Sequence, residues 1–291
     1  MSKRLLLRCF AQVARHSCRP GRPVAAFETP RPTVFATWGL GYLPIYADHV
    51  ACGKVNGSAV PEVRTVRPVV VGVDAHHGFA HPAFAAGLPS LVDATRTCGI
   101  ATMAVSHSYS AGVVGWFVEA VANHGLVALM FANSSAVMAP TPIPPTWALD
   151  TDGDPTTDAA LGIAGTVAPA GGHKGSALAL LVDLLAGGLT GSSFSHEASS
   201  FGDNSGAPVD VGQLIIAIDP GPIADGGGGT TFADRVELEL QAMSSHEGVR
   251  LPGSNRNAHR VMAQANGVDV PDELMALLDQ CASSGSPAQR Q

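Results

Sequence analysis

Residues 171–191 read GGHKGSALALLVDLLAGGLTG. Two glycines open the stretch, and Leu178, Leu181, Val182 and Leu185 then recur at helical spacing before the Gly187-Gly188 pair. The spacing predicts a helix with one apolar face that breaks at that pair. At its start, Gly171 and Gly172 let a backbone approach a bound group closely, free amides at a helix N-terminus favour an anion, and Lys174 adds a matching charge. Phosphate or carboxylate is the chemistry such a turn suits, although a Gly-rich turn with a solvated lysine satisfies the same letters. The GxxxxGK[ST] phosphate loop is absent, and so is a GxGxxG fingerprint following a strand.

The flanking segments alternate between helical and strand patterns. A helical candidate, LLLRCFAQVARH, stands near the N-terminus, and a helix is expected from Leu43, ending near Gly53. PEVRTVRPVVVGVDAHHG suggests a strand or hairpin before the His76-His77-Gly78 turn, and Ala83 to Cys98 reads as a helix stopped by Gly99. GIATMAVSHS and LVALMFANS are buried strands on either side of a helix within AGVVGWFVEAVANHG. The Pro- and Asp-rich residues 141–160 are expected to form a surface loop. VGQLIIAIDPG is a further buried strand, DGGGG a turn, ADRVELELQAMSSHEG an amphipathic helix, LPGSNRNAHR a polar turn, and PDELMALLDQC a last helix with Pro271 in its first turn. Strand, helix and strand in this order make an α/β layered architecture.

Composition narrows the function classes. With 46% hydrophobic and 14% charged residues over 291, the chain can bury a large core, and with 5% aromatics much of its packing falls to Ala, Val and Leu. A net charge of −7 without a basic stripe offers no footprint for nucleic acid. Five scattered cysteines without a CxxC pair argue against a disulfide framework and a zinc site. No apolar run reaches the roughly 18 residues of a membrane span. Lys3, Arg4, Arg8, Arg15, Arg19 and Arg22 precede the first acid, Glu28, so the start reads either as an organellar transit peptide or as a non-native segment ahead of a cytoplasmic protein.

Two other places hold reactive side chains. Ser106-His107-Ser108-Tyr109-Ser110 lies between a strand and a helix, where α/β sheets bind ligands, so His107 is a candidate acid, base or orienting group. His76, His77 and His81 have metal-ligating side chains, but Gly78 and Pro82 break the helix that would align them, and no metal is expected. Neither a GxSxG elbow nor a paired-carboxylate motif is present.

The 171–191 stretch resembles the malate/L-lactate dehydrogenase family, as do WALDTDGDPTTDAALGIAGTVAPA before it and VGQLIIAIDPG after it. GLGYLPIYADHVACGKVNG, VDAHHGFAHPA, AVSHSYSAGVVGWFVEAVANHGLVALMFANSSAVMAP and RLPGSNR extend the likeness over roughly residues 39 to 280. Within the family, the Δ1-piperideine-2-carboxylate/Δ1-pyrroline-2-carboxylate reductases are most similar. The resemblance implies an α/β, non-Rossmann, mixed-sheet fold like that of sulfolactate dehydrogenase, and a homodimer using NADPH or NADH on a cyclic 2-imino or 2-oxo acid. It implies an irregular or non-native segment over 1–35, a first part of a substrate-side domain over 36–105, and a cofactor-binding domain over 106–220. Residues 221–291 would return to the substrate side.

By the same resemblance, Ser110, Ala111, Gly112 and Val113 touch the nicotinamide cofactor, His173, Lys174, Gly175 and Ser176 form a second cofactor-binding stretch, and Pro252, Gly253 and Arg256 a third. Lys174 and Arg256 can pair with phosphate oxygens. The family's catalytic Ser-His-Gly and its carboxylate-binding arginine fall on Thr37, Trp38, Gly39 and Tyr42, where only the glycine is retained. An indole donates a hydrogen bond but transfers no proton near neutrality, and a phenol makes no bidentate pair with a carboxylate. Between Pro140 and Pro144 the family has a long central segment, in place of which stand Thr141, Pro142 and Ile143. Its loss would bare sheet edges and apolar faces that a partner subunit or a repacked core must cover. Two readings follow: a reductase with a substitute proton donor such as His49 or His107, or an inactive homologue that binds cofactor or a partner chain.

Overall fold

The computed structural model describes residues 42–135, 143–224 and 230–267, together with 272, 275 and 276. Thr37, Trp38, the helix expected near the N-terminus, the 225–229 turn and most of the helix expected from Pro271 lie outside them. In chain order the elements are α1 (Leu43–Cys52), β1 (Glu62–Arg67), β2 (Val70–Asp74), α2 (Ala80–Cys98), β3 (Ile100–Ser108), α3 (Val114–Ala122) and β4 (Val127–Ala132). There follow β5 (Ala148–Leu149), β6 (Pro155–Thr156), α4 (Ala159–Ala164), β7 (Thr166–Val167), α5 (His173–Asp183), β8 (Val211–Ile218), α6 (Gly221–Ala224), α7 (Phe232–Ser244) and α8 (Ser254–Asn266). By contact density the chain divides into residues 52–218 and a second unit of residues 1–51 with 219–291.

The larger unit is built on a mixed five-stranded sheet in the order β1-β2-β3-β8-β4. β2 and β3 run parallel, joined through α2, and every other pairing is antiparallel. The strand signals hold because β2, β3 and β8 are short apolar runs flanked by turn residues, and β1 and β2 form the expected hairpin. α2 stops as expected, with Gly99 left-handed at φ 83° and its N–H on Thr95 O. Val71, Val73, Phe84, Leu91, Met103 and Phe117 centre the core, and Ala83, Ala101 and Ala217 fill it between them. Gly87 lets α2 lie close on the sheet, since a Cβ there would stand 2.6 Å from Val73 Cγ2 and collide with Met103.

Two local expectations are corrected and one is refined. The loop expected over 141–160 contains a small antiparallel sheet, β6-β5-β7, and leads into α4, whose first turn is capped by Asp158 accepting from the Ala160 and Leu161 amides. Sequence reading missed it because two-residue strands have too few alternations to register. The helix does end at the Gly187-Gly188 pair as expected, but through one π-turn over Leu184–Gly188 that continues α5. The wider turn seats Gly187 where a Cβ would lie 2.9 Å from Asn133 Nδ2 and from Ser193 O, so the pair that ends the helix also serves close approach. Residues 254–266 are helical, the turn signals of LPGSN marking the entry to α8, with Gly253 left-handed at φ 85°.

Candidate active site

The site begins with an irregularity. The β3–β8 register slips between Val105 and Ser108, and this bulge presents Ser106 and His107 at the carboxyl end of β3. Ser108 locks the slip from below: its buried hydroxyl donates to Val211 O at 2.9 Å and takes a hydrogen bond from Gln213 Nε2 at 2.8 Å. β2 ends alongside at Asp74, and the chain turns through His76 and His77, whose amide donates to His107 O at 2.7 Å. His76, His77, His107 and Asp210 are the only non-glycine residues with left-handed φ among the described residues, and they gather here. Such conformations cost about 1–3 kcal/mol each and persist where surrounding bonds over-determine them.

These bonds set the side chains. Asp74 Oδ1 accepts from the His76 amide at 2.8 Å and stands 3.2 Å from His107 Nδ1. Partial burial raises the Asp74 pKa, but the His76 amide and the His107 and His76 charges outweigh it, so its carboxyl sits below the ordinary carboxylate value. Asp74 is therefore ionised at neutral pH and paired to an imidazole that is itself 38% exposed. His77 Nδ1 lies 3.7 Å from Asp210 Oδ1, and the His77 and His107 rings are 5.8 Å apart. Ser192 accepts the His107 amide at 2.9 Å, and Ser193 donates to Asp210 Oδ2 at 3.2 Å. Buried Lys54 Nζ bonds Ser200 O at 2.5 Å and Asp203 O at 2.9 Å, fixing the 200–203 turn.

Two residues past β3, Ser110–Val113 form the turn into α3. Gly112 takes φ 61° and donates to Ser110 Oγ at 3.1 Å, Ala111 is buried and Val113 exposed. Beneath the turn lies His81, with its ring 4.8 Å from Phe117 and 5.2 Å from Trp116. Burial pushes the His81 pKa down to about 4, so the ring is a neutral aromatic floor at pH 7. Its folded value is below the unfolded one, so this stabilising difference is absent at low pH and accrues as pH rises from about 4 to 6.5. We expect His81→Phe to gain relative stability of about 3 kcal/mol on going from pH 8 to pH 4, read by urea unfolding at both pH values. A parallel loss in both proteins would refute it.

The other expected site residues divide between the units. His173–Ser176 form the first turn of α5, after left-handed Gly171 and Gly172 at φ 78° and 63°. Gly175 is obligatory because a Cβ would run into the Ala170 carbonyl, and Lys174 is exposed without an ion pair among the described residues. No hydrogen bond or ion pair among the described residues joins this turn to Ser110–Val113. Pro252 and Gly253 lie in the second unit beside a cavity of about 330 Å³ that Arg250, Leu251 and Asn255 also line, with Arg256 in the first turn of α8. Tyr42 precedes α1, its ring 6.0 Å from that of Tyr46, and His49 is buried on α1. Sequence reading found His107 but missed Asp74 and Asp210, whose role depends on strand register rather than on a local motif. Among the described residues no group of three or more His, Cys, Asp or Glu could hold a metal ion, nor is any helix long and apolar enough to cross a membrane.

The profile of the malate/L-lactate dehydrogenase family matches residues 34–142 and 141–279. The chain belongs to that family. It is 36% identical to a (2R)-3-sulfolactate dehydrogenase (NADP(+)) of Chromohalobacter salexigens, covering 82% of this chain and 84% of that protein. A Δ1-pyrroline-2-carboxylate reductase of Ancylobacter novellus is 33% identical over 85% of this chain and 86% of its own length. The crystal structure of Δ1-piperideine-2-carboxylate reductase from Pseudomonas syringae superposes with a TM-score of 0.76 at 28% identity, covering 97% of this chain and 99% of that one. The mixed-sheet fold and the oxidoreductase assignment both stand.

Proposed function

We propose that this protein is an NADPH-dependent reductase of a small cyclic 2-imino acid or 2-oxo acid, with His107 delivering the proton and Asp74 orienting it. The observation that carries the reading is the partly exposed Asp74–His107 pair, with left-handed φ at His107 itself and at His76, His77 and Asp210 beside it. Strain gathered at one half-open place is a mark of function rather than of stability. Its groups come from both sides of the expected boundary, Asp74 from the substrate-side part and His107 from the cofactor-binding part. The activities of the two relatives, one a sulfolactate dehydrogenase and one a cyclic imino acid reductase, support that substrate class.

The first turn of α5 suits a dinucleotide phosphate: its glycines keep the backbone low, a helix N-terminus offers free amides, and Lys174 is exposed with no ion pair among the described residues. When bound, NADPH supplies a hydride. His107 Nδ1 faces Asp74 and its Nε2 is left for substrate. The carboxylate stabilises the imidazolium, which protonates the imine nitrogen or carbonyl oxygen as carbon gains the hydride. His49, the other donor considered, is buried at 1% exposure and cannot meet a ligand without opening α1. The inactive reading has no such structural support. The family resemblance also implies a cytoplasmic homodimer.

Mixing the purified protein with NADPH and Δ1-piperideine-2-carboxylate, Δ1-pyrroline-2-carboxylate or a 2-oxo acid panel should oxidise the cofactor. Titration with NADPH alone should quench Trp116, which is half-exposed one turn into α3 beside Ser110–Val113. Quenching without turnover would refute the catalytic reading while keeping the cofactor site; neither signal would refute both.

A further inference from the structure

His77 has no part in the proton transfer, yet its backbone is held in a conformation that glycine alone adopts freely. Its φ is 57°, and both of its backbone groups are engaged: its N–H donates to His107 O at 2.7 Å and its C=O accepts from the Asn56 amide at 2.8 Å. The next residue, Gly78, donates to Ala75 O at 2.8 Å, and a Cβ there would come within 2.7 Å of Ala59 Cβ, so the turn has little room to change. Glycine would carry the same backbone at position 77 without strain. A strained position that presents a 45% exposed imidazole instead points to a use for the imidazole.

The charges around the turn separate His77 from its neighbours. His76 Nδ1 lies 3.5 Å from Asp74 Oδ1 and its Nε2 lies 3.8 Å from Glu62 Oε2, so both of its nitrogens face carboxylates of this chain. His107 is committed to Asp74. His77 has a carboxylate on one side only: Nδ1 is 3.7 Å from Asp210 Oδ1, while Nε2 has no hydrogen bond or ion pair among the described residues. Asp210 Oδ1 is buried without a hydrogen-bond partner among the described residues, although Oδ2 accepts from Ser193 Oγ at 3.2 Å. A buried carboxylate oxygen without a donor is destabilising. A His77 ring protonated on both nitrogens supplies that donor through Nδ1 and leaves a second N–H, on Nε2, for a ligand. With Asp210 on one side, such a ring is matched by an anion on the other.

We propose that His77, backed by Asp210, binds the carboxylate of the substrate and so sets the reacting carbon beside His107. The inference rests on the reductase reading of Asp74 and His107. Every 2-oxo or 2-imino acid carries its carboxylate on the carbon that takes the hydride, so the carboxylate oxygens and the atom that takes the proton are neighbours on one small frame. Two donors serving them must stand side by side. The His77 and His107 rings are 5.8 Å apart and inclined at 60°, a spacing from which hydrogen bonds of about 2.7–3.2 Å can converge on adjacent groups of one molecule. The bond from the His77 amide to His107 O ties the two backbones together and holds that spacing. The assignment also fills a gap, because the arginine that binds the carboxylate in the family falls on Tyr42, whose phenol makes no charged pair with it.

His77→Gly relieves the left-handed backbone and should leave the thermal midpoint unchanged or raised, so it reports on the side chain alone. It should raise KM for Δ1-piperideine-2-carboxylate about 10- to 100-fold, the range of a hydrogen bond to a charged group, with kcat at saturation within about threefold of the parent and Trp116 quenching by NADPH unaltered. For Δ1-piperideine, which lacks the carboxylate, parent and variant should share one kcat/KM. Asp210→Asn, whose new side chain tolerates the same backbone, should raise KM for the acid by a smaller factor. Calorimetry of the NADPH-loaded protein with pyrrole-2-carboxylate, a flat mimic of the imino acid, reads the contact without turnover, and affinity should fall by the same factor in His77→Gly. Unchanged KM and unchanged affinity overturn the proposal and leave the reductase reading standing. So does a loss that is equal with and without the carboxylate, which would make His77 a structural residue only. No turnover by the parent defeats the reductase reading; parent affinity for pyrrole-2-carboxylate that is lost in His77→Gly then still supports the carboxylate site, and equal or absent affinity overturns it.

Discussion

His107→Gln is expected to lower kcat for NADPH oxidation by about 10²- to 10⁴-fold, the range that positioned proton transfer contributes. Glutamine keeps a polar group near Asp74 and leaves the β3 bulge, held through Ser108 and Gln213, undisturbed. What it lacks is a titratable nitrogen. The loss should therefore appear in kcat with little change in Trp116 quenching by NADPH, because His107 is assigned to the proton and not to the phosphates. Asp74→Asn should act in the same direction by a smaller factor, since the imidazole loses its counter-charge and its fixed tautomer but retains its proton. The double variant should be no worse than His107→Gln alone, as groups acting through one proton do not add. His124→Gln, on the exposed turn after α3, is the control and should leave kcat unchanged. A His107→Gln enzyme retaining a tenth of the activity would remove the histidine from the mechanism.

What the sequence revealed, and what it hid, follows from the range of the forces involved. Gly99 ending α2 and the hairpin before His76 were legible because each is decided within a few residues. The Asp74–His107 pair was not, since the two residues are 33 apart and meet only through the parallel β2–β3 register. His107 could be nominated from its place after a strand, but nothing local marks Asp74 as its partner. Gly187 and Gly188 marked the end of the helix correctly, but the close approach of the Asn133 side chain, just after β4, and of the Ser193 carbonyl that Gly187 permits was not legible locally. The apolar face of α5 was read correctly as apolar, and its cover was not legible, because a periodicity shows which side must be covered and never by what. The family resemblance supplied the fold that no local pattern could, while its catalytic histidine position, Trp38, lies outside the described residues.

Phe84→Ala should destabilise the larger unit by about 3–5 kcal/mol, the cost of emptying an aromatic site in a close-packed core. Phe84 is buried on α2, edge-on to Phe117 at 4.9 Å and near Trp116 at 5.8 Å, and it belongs to the cluster of Val73 and Met103 between helix and sheet. The neighbours cannot readily collapse into the space, because Gly87 already holds α2 at its closest approach to Val73 and Met103. Against a total of about 5–15 kcal/mol, such a loss is a large share of the stability and should lower Tm by about 10 °C or more. Phe84→Leu, which keeps most of the volume, should cost about 1–2 kcal/mol. Val60→Ala, at an exposed position, should stay within about 0.5 kcal/mol. The effect also reaches the site, since Phe117 and Trp116 support His81 and through it the turn at Gly112. Phe84→Leu should therefore raise KM for NADPH while leaving kcat near that of the parent, the reverse of His107→Gln. Urea unfolding and steady-state kinetics on the same preparations would check both, and a Phe84→Ala cost below about 1.5 kcal/mol would mean that this core is not close-packed around α2.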